Sequence, residues 1–388
     1  MHIVIAADSY KGCMRSDEVC AVIAAGFAAE LPSAELCCVP MGDGGEGTLA
    51  AVVAATNATL HSVPVLDPLG RSITAQYAMM PDGRRAFVEM AAASGIELLQ
   101  ASELDPLRAS SYGTGRLICA AMAAGVEEIV IGIGGSATVD GGAGLLQALG
   151  CRLLDADGRE LPPGGAALAR LAAIDSGGCE KRLRALRLHV ACDVSNPLTG
   201  PRGAAAVFGP QKGATPAMVA ELDAALAHWA AVLQAQGLAK DLEQPGDGAA
   251  GGVGFVLRTV AGAELRSGAR LVAELVGLPE KLRHADLLIT GEGRTDQQSL
   301  SGKLPVALAE LARAAGVPCV LLSGAIEGDQ EALRTHFTAC FSTVSAVLPL
   351  DRVLAQARQS LYDRSRAIAA MLRLPRPNES FHGQNKLN

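Results

Sequence analysis

Residues 286–303 read DLLITGEGRTDQQSLSGK, and this stretch says more about the fold than any other part of the chain. The apolar run 287–289 predicts a buried strand that ends in a Gly-rich polar loop, and a helical pattern with Pro305 in its first turn follows. A strand, a loop and a helix N-terminus in this order direct free backbone N–H groups and the positive end of the helix dipole at one spot. Acids and bases together at such a loop suit a phosphate with a divalent metal. The charged residues here are Glu292, Arg294, Asp296 and Lys303.

Three further Gly-rich loops occur, at 43–48, 132–142 and 248–254. A single loop of this kind is weak evidence, because Gly-rich turns after strands are common for purely steric reasons. Four such loops, three of them with acidic residues, predict a binding site for an anionic ligand.

The composition is that of an α/β protein of two domains. A chain of 388 residues exceeds the size at which single cores stop growing, and its Ala, Val, Leu and Gly favour close helix–sheet packing. The net charge of −7, with no basic stripe, argues against a nucleic-acid partner. No targeting signal or membrane-length apolar run is visible, so we expect no membrane partner. The ten cysteines lack a C-x-x-C pair and predict reduced thiols in the cytoplasm.

Both ends of the chain predict the same kind of structure. Residues 2–7, 16–31 and 35–40 predict a strand, a helix and a strand, and strands and helices alternate again from 286 to 372. The middle differs, with hairpin signals at 60–90 and strands at 128–133 and 187–192. We therefore predict one α/β domain from 1–60 and 285–373, an inserted mixed α/β domain from 61–284, and a flexible tail from 374–388.

The loop after the first strand supplies the first candidate site residues, Asp8, Ser9 and Lys11. Ligands of open parallel sheets bind at the carboxyl ends of strands. Lys11 is placed there to pair with a phosphate or a substrate carboxylate, although an ordinary surface lysine would look the same.

The loop 132–142 predicts contact with phosphate. Glycines let the backbone approach a ligand, Ser136 and Thr138 add hydroxyl donors, and Asp140 could hold a metal or a ribose. The loop has neither the lysine of a P-loop nor the third glycine of a dinucleotide fingerprint, which weighs against a dehydrogenase.

Asp193 ends a predicted strand and is a candidate general base or metal ligand, with Asn196 placed to orient substrate. An Asx-turn before Pro197 is the alternative interpretation. Taken alone, the sequence around Lys212 predicts that this lysine is solvated. From the residues alone, phosphoryl transfer is favoured over redox chemistry, and the acceptor is left open.

Taken together, these motifs resemble the bacterial glycerate kinase type 1 family. The resemblance rests on 8–11, 42–48, 134–142, Asp193 with 197–198, 208–213, and 291–303, which appear in the family's order; it continues to about 372. Two positions depart from the pattern: Ala7 replaces a usual proline, and Val139 a usual asparagine.

The resemblance implies an ATP-dependent, Mg²⁺-requiring kinase that converts D-glycerate to 2-phosphoglycerate. It also implies a flavodoxin-like or Rossmann-like parallel-sheet domain built from both termini around the inserted α/β domain. Catalysis would fall to Asp193, Lys11 and Arg294, and Mg²⁺ binding to Asp43, Glu46 and Asp296. The remaining residues expected to bind substrate or phosphate are Asp8, Ser9, Gly44, Gly45, Gly134, Gly135, Ser136, Thr138, Asp140, Gly141, Gly142, Asn196, Lys212, Glu292, Ser299 and Lys303.

Three alternatives stay open at this point. The protein could phosphorylate another small hydroxy acid, could give 3-phosphoglycerate, or could be a non-catalytic metabolite sensor. The sequence leaves the oligomeric state, the nucleotide preference and the feeding pathway undetermined.

Overall fold

The computed structural model describes residues 1–177, 179, 186–296, 299 and 303–373. The chain forms two compact units. The first is built from Met1–Pro40 with the described residues of Leu278–Ser301 and Pro305–Asn388, and the second from Met41–Gly277 with the described residues of Gly302–Leu304. The predicted tail, 374–388, lies outside the described residues.

The described strands are β1 His2–Ile5, β2 Glu35–Cys38, β3 Thr59–Leu66, β4 Ser72–Met79, β5 Arg85–Glu89, β6 Glu128–Gly132, β7 Arg152–Leu154, β8 Ala173–Asp175, β9 Arg187–Ala191, β10 Glu264–Arg266, β11 Leu287–Thr290, β12 Arg294–Thr295, β13 Cys319–Ser323, β14 Ala325–Ile326 and β15 Ala339–Ser342. The described α-helices are α1 Ser16–Glu30, α2 Thr48–Thr56, α3 Ala91–Ser94, α4 Tyr112–Ala123, α5 Ala143–Ala148, α6 Ala204–Phe208, α7 Pro216–Ala235, α8 Val253–Thr259, α9 Gly268–Leu275, α10 Leu278–Leu282, α11 Leu304–Ala314, α12 Gln330–Arg334 and α13 Leu350–Leu372.

The first unit contains a parallel sheet in the order β15-β13-β11-β1-β2 among the described strands. This is the flavodoxin-like order, in which the chain reverses its direction of travel across the sheet between β1 and β11. The predicted parallel-sheet domain is confirmed. In open α/β sheets, ligands bind at the carboxyl ends of the strands beside such a reversal.

Helix α1 shows how the sequence builds this unit. Val19, Ile23 and Phe27 recur at helical spacing and are fully buried in the core. A Cβ at Gly26 would lie 2.6 Å from the Cβ of Ser365 on α13, so the glycine allows the two helices to pack closely.

The second unit contains a mixed sheet in the order β10-β9-β6-β5-β4-β3 among the described strands. Strands β5, β6, β9 and β10 run parallel, whereas β3, β4 and β5 are joined as antiparallel neighbours, as the hairpin signals predict. The predicted mixed α/β character of this unit is confirmed.

The units change over at 40/41 and 277/278, earlier in the chain than the predicted domain boundaries at 60 and 284. Helix α2 explains the first difference, since it packs against β4 and β5 of the second unit. The sequence shows a loop and a helix after β2 but not which sheet the helix covers.

Helix α7 is the described helix whose length and hydropathy would allow it to cross a membrane. Leu222, Leu226 and Trp229 on one of its faces are fully buried in the core of the second unit. We therefore interpret α7 as a core helix.

Candidate active site

The loop 42–48 lies directly on the carboxyl ends of β6 and β9. A Cβ at Gly44 would lie 2.5 Å from the Cβ of Ala191, and a Cβ at Gly134 would lie 2.7 Å from the Cα of Gly45. The Gly134 N–H donates to the Gly44 carbonyl at 3.2 Å. Glycine is required at Gly44 for a second reason, because its φ is +89°. Two loops that the sequence predicts as separate ligand loops are thus in contact.

Glu89, at the end of β5, fixes the loop 42–48 through hydrogen bonds to its backbone. Its two carboxylate oxygens accept hydrogen bonds from Gly47 N–H at 3.2 Å and Leu49 N–H at 2.7 Å. Burial raises the pKa of the Glu89 carboxyl, and the nearby Asp43 adds to the effect. Glu89 thus occupies the N-terminus of α2, where the sequence predicts an anionic ligand. Sequence reasoning missed this residue; the available signal was an acid that ends an apolar strand.

Asp193 follows β9 and faces the same loop. One of its oxygens accepts the Gly268 N–H at 3.0 Å, at the N-terminus of α9. A Cβ at Gly268 would lie 1.9 Å from the Asp43 carbonyl oxygen and 2.9 Å from the other Asp193 carboxylate oxygen. The predicted base and the predicted metal ligand Asp43 are therefore neighbours.

The electrostatics of Asp193 suit proton transfer. Partial removal of water raises the pKa of this carboxyl to about 6; Asp43 raises it further, whereas the Gly268 hydrogen bond and Lys303 favour the ionised form. The residue as a whole is still exposed, so a ligand can reach it. A carboxyl with a pKa near neutrality, open to solvent, is well matched to general base catalysis.

Asn196 plays a more local part. Its side-chain amide donates to the Arg202 carbonyl at 2.8 Å, and its backbone carbonyl accepts the Gly248 N–H. The structure thus places the amide in contact with its own loop, whereas the sequence predicts a contact with substrate.

Lys212 is buried, contrary to the solvated lysine that its sequence context predicts. Its ammonium donates to the Ser136 hydroxyl at 2.9 Å and to the Thr138 carbonyl at 2.7 Å. Burial lowers the pKa of Lys212 to about 7, opposed by Asp140. The structure therefore joins Lys212 to the loop 132–142.

Asp140 is the organising carboxylate of that loop. It is fully buried and accepts hydrogen bonds from the backbone and hydroxyl of Ser111, both at 2.8 Å, and from Gly142 and Gly144. Burial raises the pKa of its carboxyl. The sequence predicts that Asp140 could hold a metal or a ribose, but its carboxylate is buried within the protein and is not exposed to a ligand.

The rest of the loop is packed with similar closeness. Gly141 donates to the Gly251 carbonyl at 2.9 Å and accepts the Trp229 indole N–H at 3.1 Å. A Cβ at Gly251 would lie 2.0 Å from the Thr138 carbonyl oxygen. The loop 248–254 therefore packs against the backbone of the loop 132–142. Gly135 is fixed on the other side, where its carbonyl accepts the Ile96 N–H.

The first unit presents its own candidate residues where β1 and β11 end. The Asp8 N–H donates to the Gly291 carbonyl at 2.9 Å, and Asp8 in turn accepts the Ser9 N–H at 2.6 Å. Lys11 is exposed in the same loop. Glu292 accepts the Thr295 hydroxyl at 3.0 Å. Asp8, Ser9 and Glu292 thus follow the carboxyl ends of β1 and β11 beside the strand-order reversal, and their contact with a ligand stays a prediction.

The remaining residues of the 291–303 loop interact locally. Arg294 pairs with Glu327 at 2.6 Å, with both side chains more than half exposed. Asp296 accepts the Ser299 N–H at 3.3 Å, and the Ser299 hydroxyl accepts the Asp296 N–H at 3.2 Å. The motif positions 297, 298 and 300–302 lie outside the described residues.

Among the described residues, no group of three or more His, Cys, Asp or Glu side chains is arranged to hold a metal ion. Of the predicted Mg²⁺ ligands, Asp43 is half-buried beside Asp193 and Glu46 is exposed on the same loop. Mg²⁺ commonly uses one or two carboxylates and completes its shell with water and phosphate. Asp43, with the negative charge of Asp193 beside it, fits that requirement.

Gly-rich loops at the carboxyl ends of parallel strands, with an exposed carboxyl of raised pKa among them, define an α/β protein built to act on an anionic ligand. Residues 3–373 match the model of the Glycerate kinase family, and the chain belongs to that family.

Two curated relatives are similar over nearly their whole length. The chain is 45% identical to the glycerate kinase of Bacillus subtilis (strain 168), over 96% of this chain and 98% of that protein. It is also 45% identical to the glycerate 2-kinase of Escherichia coli (strain K12), with the same coverage. A crystal structure from Salmonella typhimurium LT2, of a protein assigned as glycerate kinase 2, matches with a TM-score of 0.86 and 46% identity, covering 96% of this chain and 98% of that one.

Proposed function

We propose that the protein is an ATP-dependent glycerate 2-kinase that converts D-glycerate to 2-phosphoglycerate. The observation that carries the proposal is Asp193, an exposed carboxyl with a pKa of about 6 that faces the loop 42–48. Membership of the Glycerate kinase family and the name of the Escherichia coli relative support the choice of substrate and product.

Asp193 acts as the general base in this mechanism. At neutral pH it is ionised and accepts the proton of the glycerate hydroxyl as that oxygen attacks the γ-phosphorus of ATP. A bond from this oxygen to phosphorus forms, the bond from phosphorus to the bridging oxygen breaks, and ADP leaves with the electron pair. The hydrogen bond from Gly268 keeps the carboxylate directed at one position, which reduces the entropy lost in the reaction.

Mg²⁺ would be held by Asp43, and the nearby negative charge of Asp193 would also attract the ion. When bound, the ion neutralises charge on the phosphates. Glu46 and Asp296 stay as further predicted ligands. The proximity of Asp43 and Asp193 supports this assignment, because the negative charge of Asp43 that raises the pKa of Asp193 also favours a divalent cation.

Lys11 and Arg294 supply the cations for the glycerate carboxylate and the phosphates. Arg294 presents a planar fork that matches two carboxylate oxygens, and Lys11 presents a point charge. Arg294 would exchange its exposed pairing with Glu327, which is worth at most ~1 kcal/mol, for the ligand. Both substrates are small molecules, and we place the reaction in the cytoplasm.

The activity is tested by following ADP formation with D-glycerate, tartronate or lactate as acceptor, each with and without Mg²⁺. We expect D-glycerate to give the highest kcat/KM and the activity to vanish when EDTA removes the metal. Faster turnover of tartronate or lactate would identify a kinase of another hydroxy acid. Calorimetric binding of ATP and glycerate without any ADP formation would identify a sensor.

A further inference from the structure

Lys212 is a buried cation that the mechanism above does not use. It closes a short helical turn, Pro210–Lys212, and Gly213 follows it with a φ of +93°. Only 2% of Lys212 is exposed. Among the described residues, its hydrogen-bond acceptors are two neutral oxygens, the Ser136 hydroxyl and the Thr138 carbonyl.

A cation in this position is unfavourable for folding. A buried ammonium loses its hydration, and neutral acceptors return less than a carboxylate would. Burial accordingly lowers the pKa of Lys212 to about 7. Asp140 is the carboxylate that opposes this shift, but its oxygens are engaged by Ser111, Gly142 and Gly144. An apolar side chain of similar volume would be the simpler way to fill the space.

The hydrogen bond from Lys212 has a direct consequence for Ser136. The Nζ group of Lys212 donates to the Ser136 hydroxyl, so the Ser136 oxygen is the acceptor of this hydrogen bond. Its own proton is then directed away from Lys212. Ser136 is 7% exposed, next to Gly134 and Gly135, where the backbone packs against the loop 42–48. The adjacent Thr138 hydroxyl has no hydrogen-bond partner among the described residues.

We propose that Lys212 is a positioning residue that fixes the Ser136 hydroxyl as a donor to an anionic oxygen of the substrates, either a phosphate oxygen of ATP or the carboxylate of glycerate. The proposal rests on the proposed kinase function. The Nζ group of Lys212 orients the hydroxyl by donating to its oxygen, and a hydroxyl whose oxygen accepts a hydrogen bond is a stronger donor. Lys212 itself stays inside the protein and contacts the ligand only through Ser136.

A double-mutant cycle tests this role. Ser136→Ala and Lys212→Met are prepared singly and together, and kcat and both KM values are measured. We expect each single change to lower kcat/KM about tenfold and to raise KM for the same one of the two substrates. The double variant should also lose about tenfold, because the second change removes an interaction that is already absent.

Trp229→Phe is the matched structural control. It removes a buried hydrogen bond to Gly141 in the same loop but leaves Ser136 and Lys212 in place. We expect it to lower the free energy of unfolding and to combine multiplicatively with Ser136→Ala. If Lys212→Met does not fold, Lys212→Gln replaces it in the cycle, since it keeps one donor without the charge.

The outcomes separate this inference from the proposed function. Losses of about tenfold in each single variant and about a hundredfold in the double variant would show that Lys212 acts independently of Ser136 and would overturn the inference. Wild-type constants in Ser136→Ala would also overturn it. A wild-type protein that forms no ADP with glycerate would refute the function itself.

Discussion

Replacement of Asp193 by asparagine should reduce activity and increase stability at the same time. Asparagine keeps an oxygen that can accept the Gly268 N–H, so the loop geometry is retained. It cannot accept a proton from the glycerate hydroxyl. We therefore expect kcat to fall by roughly 10²–10⁴, with a smaller change in KM.

The gain in stability follows from the pKa of Asp193. Its value rises from 3.8 to about 6 in the folded protein, which is about 2 units, or ~3 kcal/mol at ~1.36 kcal/mol per unit. Because the residue is exposed to solvent, screening reduces this to about 1 kcal/mol. A raised carboxyl pKa means that the stability due to protonation is complete below pH 3.8 and is lost as the pH rises through about 6.

The neutral variant should therefore be more stable than the wild type at pH 8, by about 1 kcal/mol, and the difference should shrink by pH 5. Urea unfolding at both pH values measures this difference, and steady-state kinetics measures kcat. The wild-type kcat should also decline as the pH falls below about 6, where Asp193 becomes protonated. A variant with near-wild-type kcat, or one that is less stable at pH 8 than at pH 5 relative to the wild type, would refute the reasoning.

Three further predictions concern other parts of the site. Glu89→Ala removes the acceptor of two partly buried backbone N–H groups, so urea unfolding should show a loss of about 1–3 kcal/mol; an unchanged midpoint would mean that these two hydrogen bonds to the start of α2 are unimportant. Gly44→Ala combines a positive φ with a contact 2.5 Å from the Ala191 Cβ, and it should lower kcat/KM and reduce stability by about 1–3 kcal/mol, whereas a fully active protein would show that the loop can shift freely. Of the two variants Lys11→Ala and Arg294→Ala, one should raise KM for glycerate about tenfold and the other should mainly lower kcat or ATP affinity. If both variants keep wild-type constants, Lys303 is the next cation to test.

The sequence predicts where the strands and loops of this fold occur better than it predicts which distant elements they pack against. Residues 287–289 and 2–7 are apolar runs that are followed within two residues by Gly291 and Asp8, and they form adjacent parallel strands in the first unit. The prediction was possible because hydrophobic periodicity and Gly-rich turns are local signals. Which sheet receives α2 depends on packing between distant residues, and the boundary near 60 therefore differs from the change at 40/41.

The site shows the same division. Asp193 and Asp43 are acids at loop starts, and the structure brings them together, while their roles as base and metal ligand stay predictions. Asp140 has the same sequence signature but is fully buried, where it binds the N-terminus of α5. For Lys212 and Glu89 the local sequence gives no sign of their roles. Lys212 is buried and donates to a distant loop, and Glu89 accepts hydrogen bonds from a distant helix N-terminus. No local pattern distinguishes an acid that faces a ligand from one that holds a loop.

The measurement that tests the central claim most directly is the ³¹P NMR spectrum of the product formed from D-glycerate and MgATP. Scalar coupling of the phosphorus to its neighbouring protons identifies the phosphorylated oxygen: one proton on C2 or two protons on C3. We expect the doublet of a phosphate on the C2 oxygen, together with stoichiometric ADP, and its formation should be slowed in Asp193→Asn. A triplet from a phosphate on C3, or no new phosphorus signal while the protein is folded and supplied with Mg²⁺, would contradict a glycerate 2-kinase.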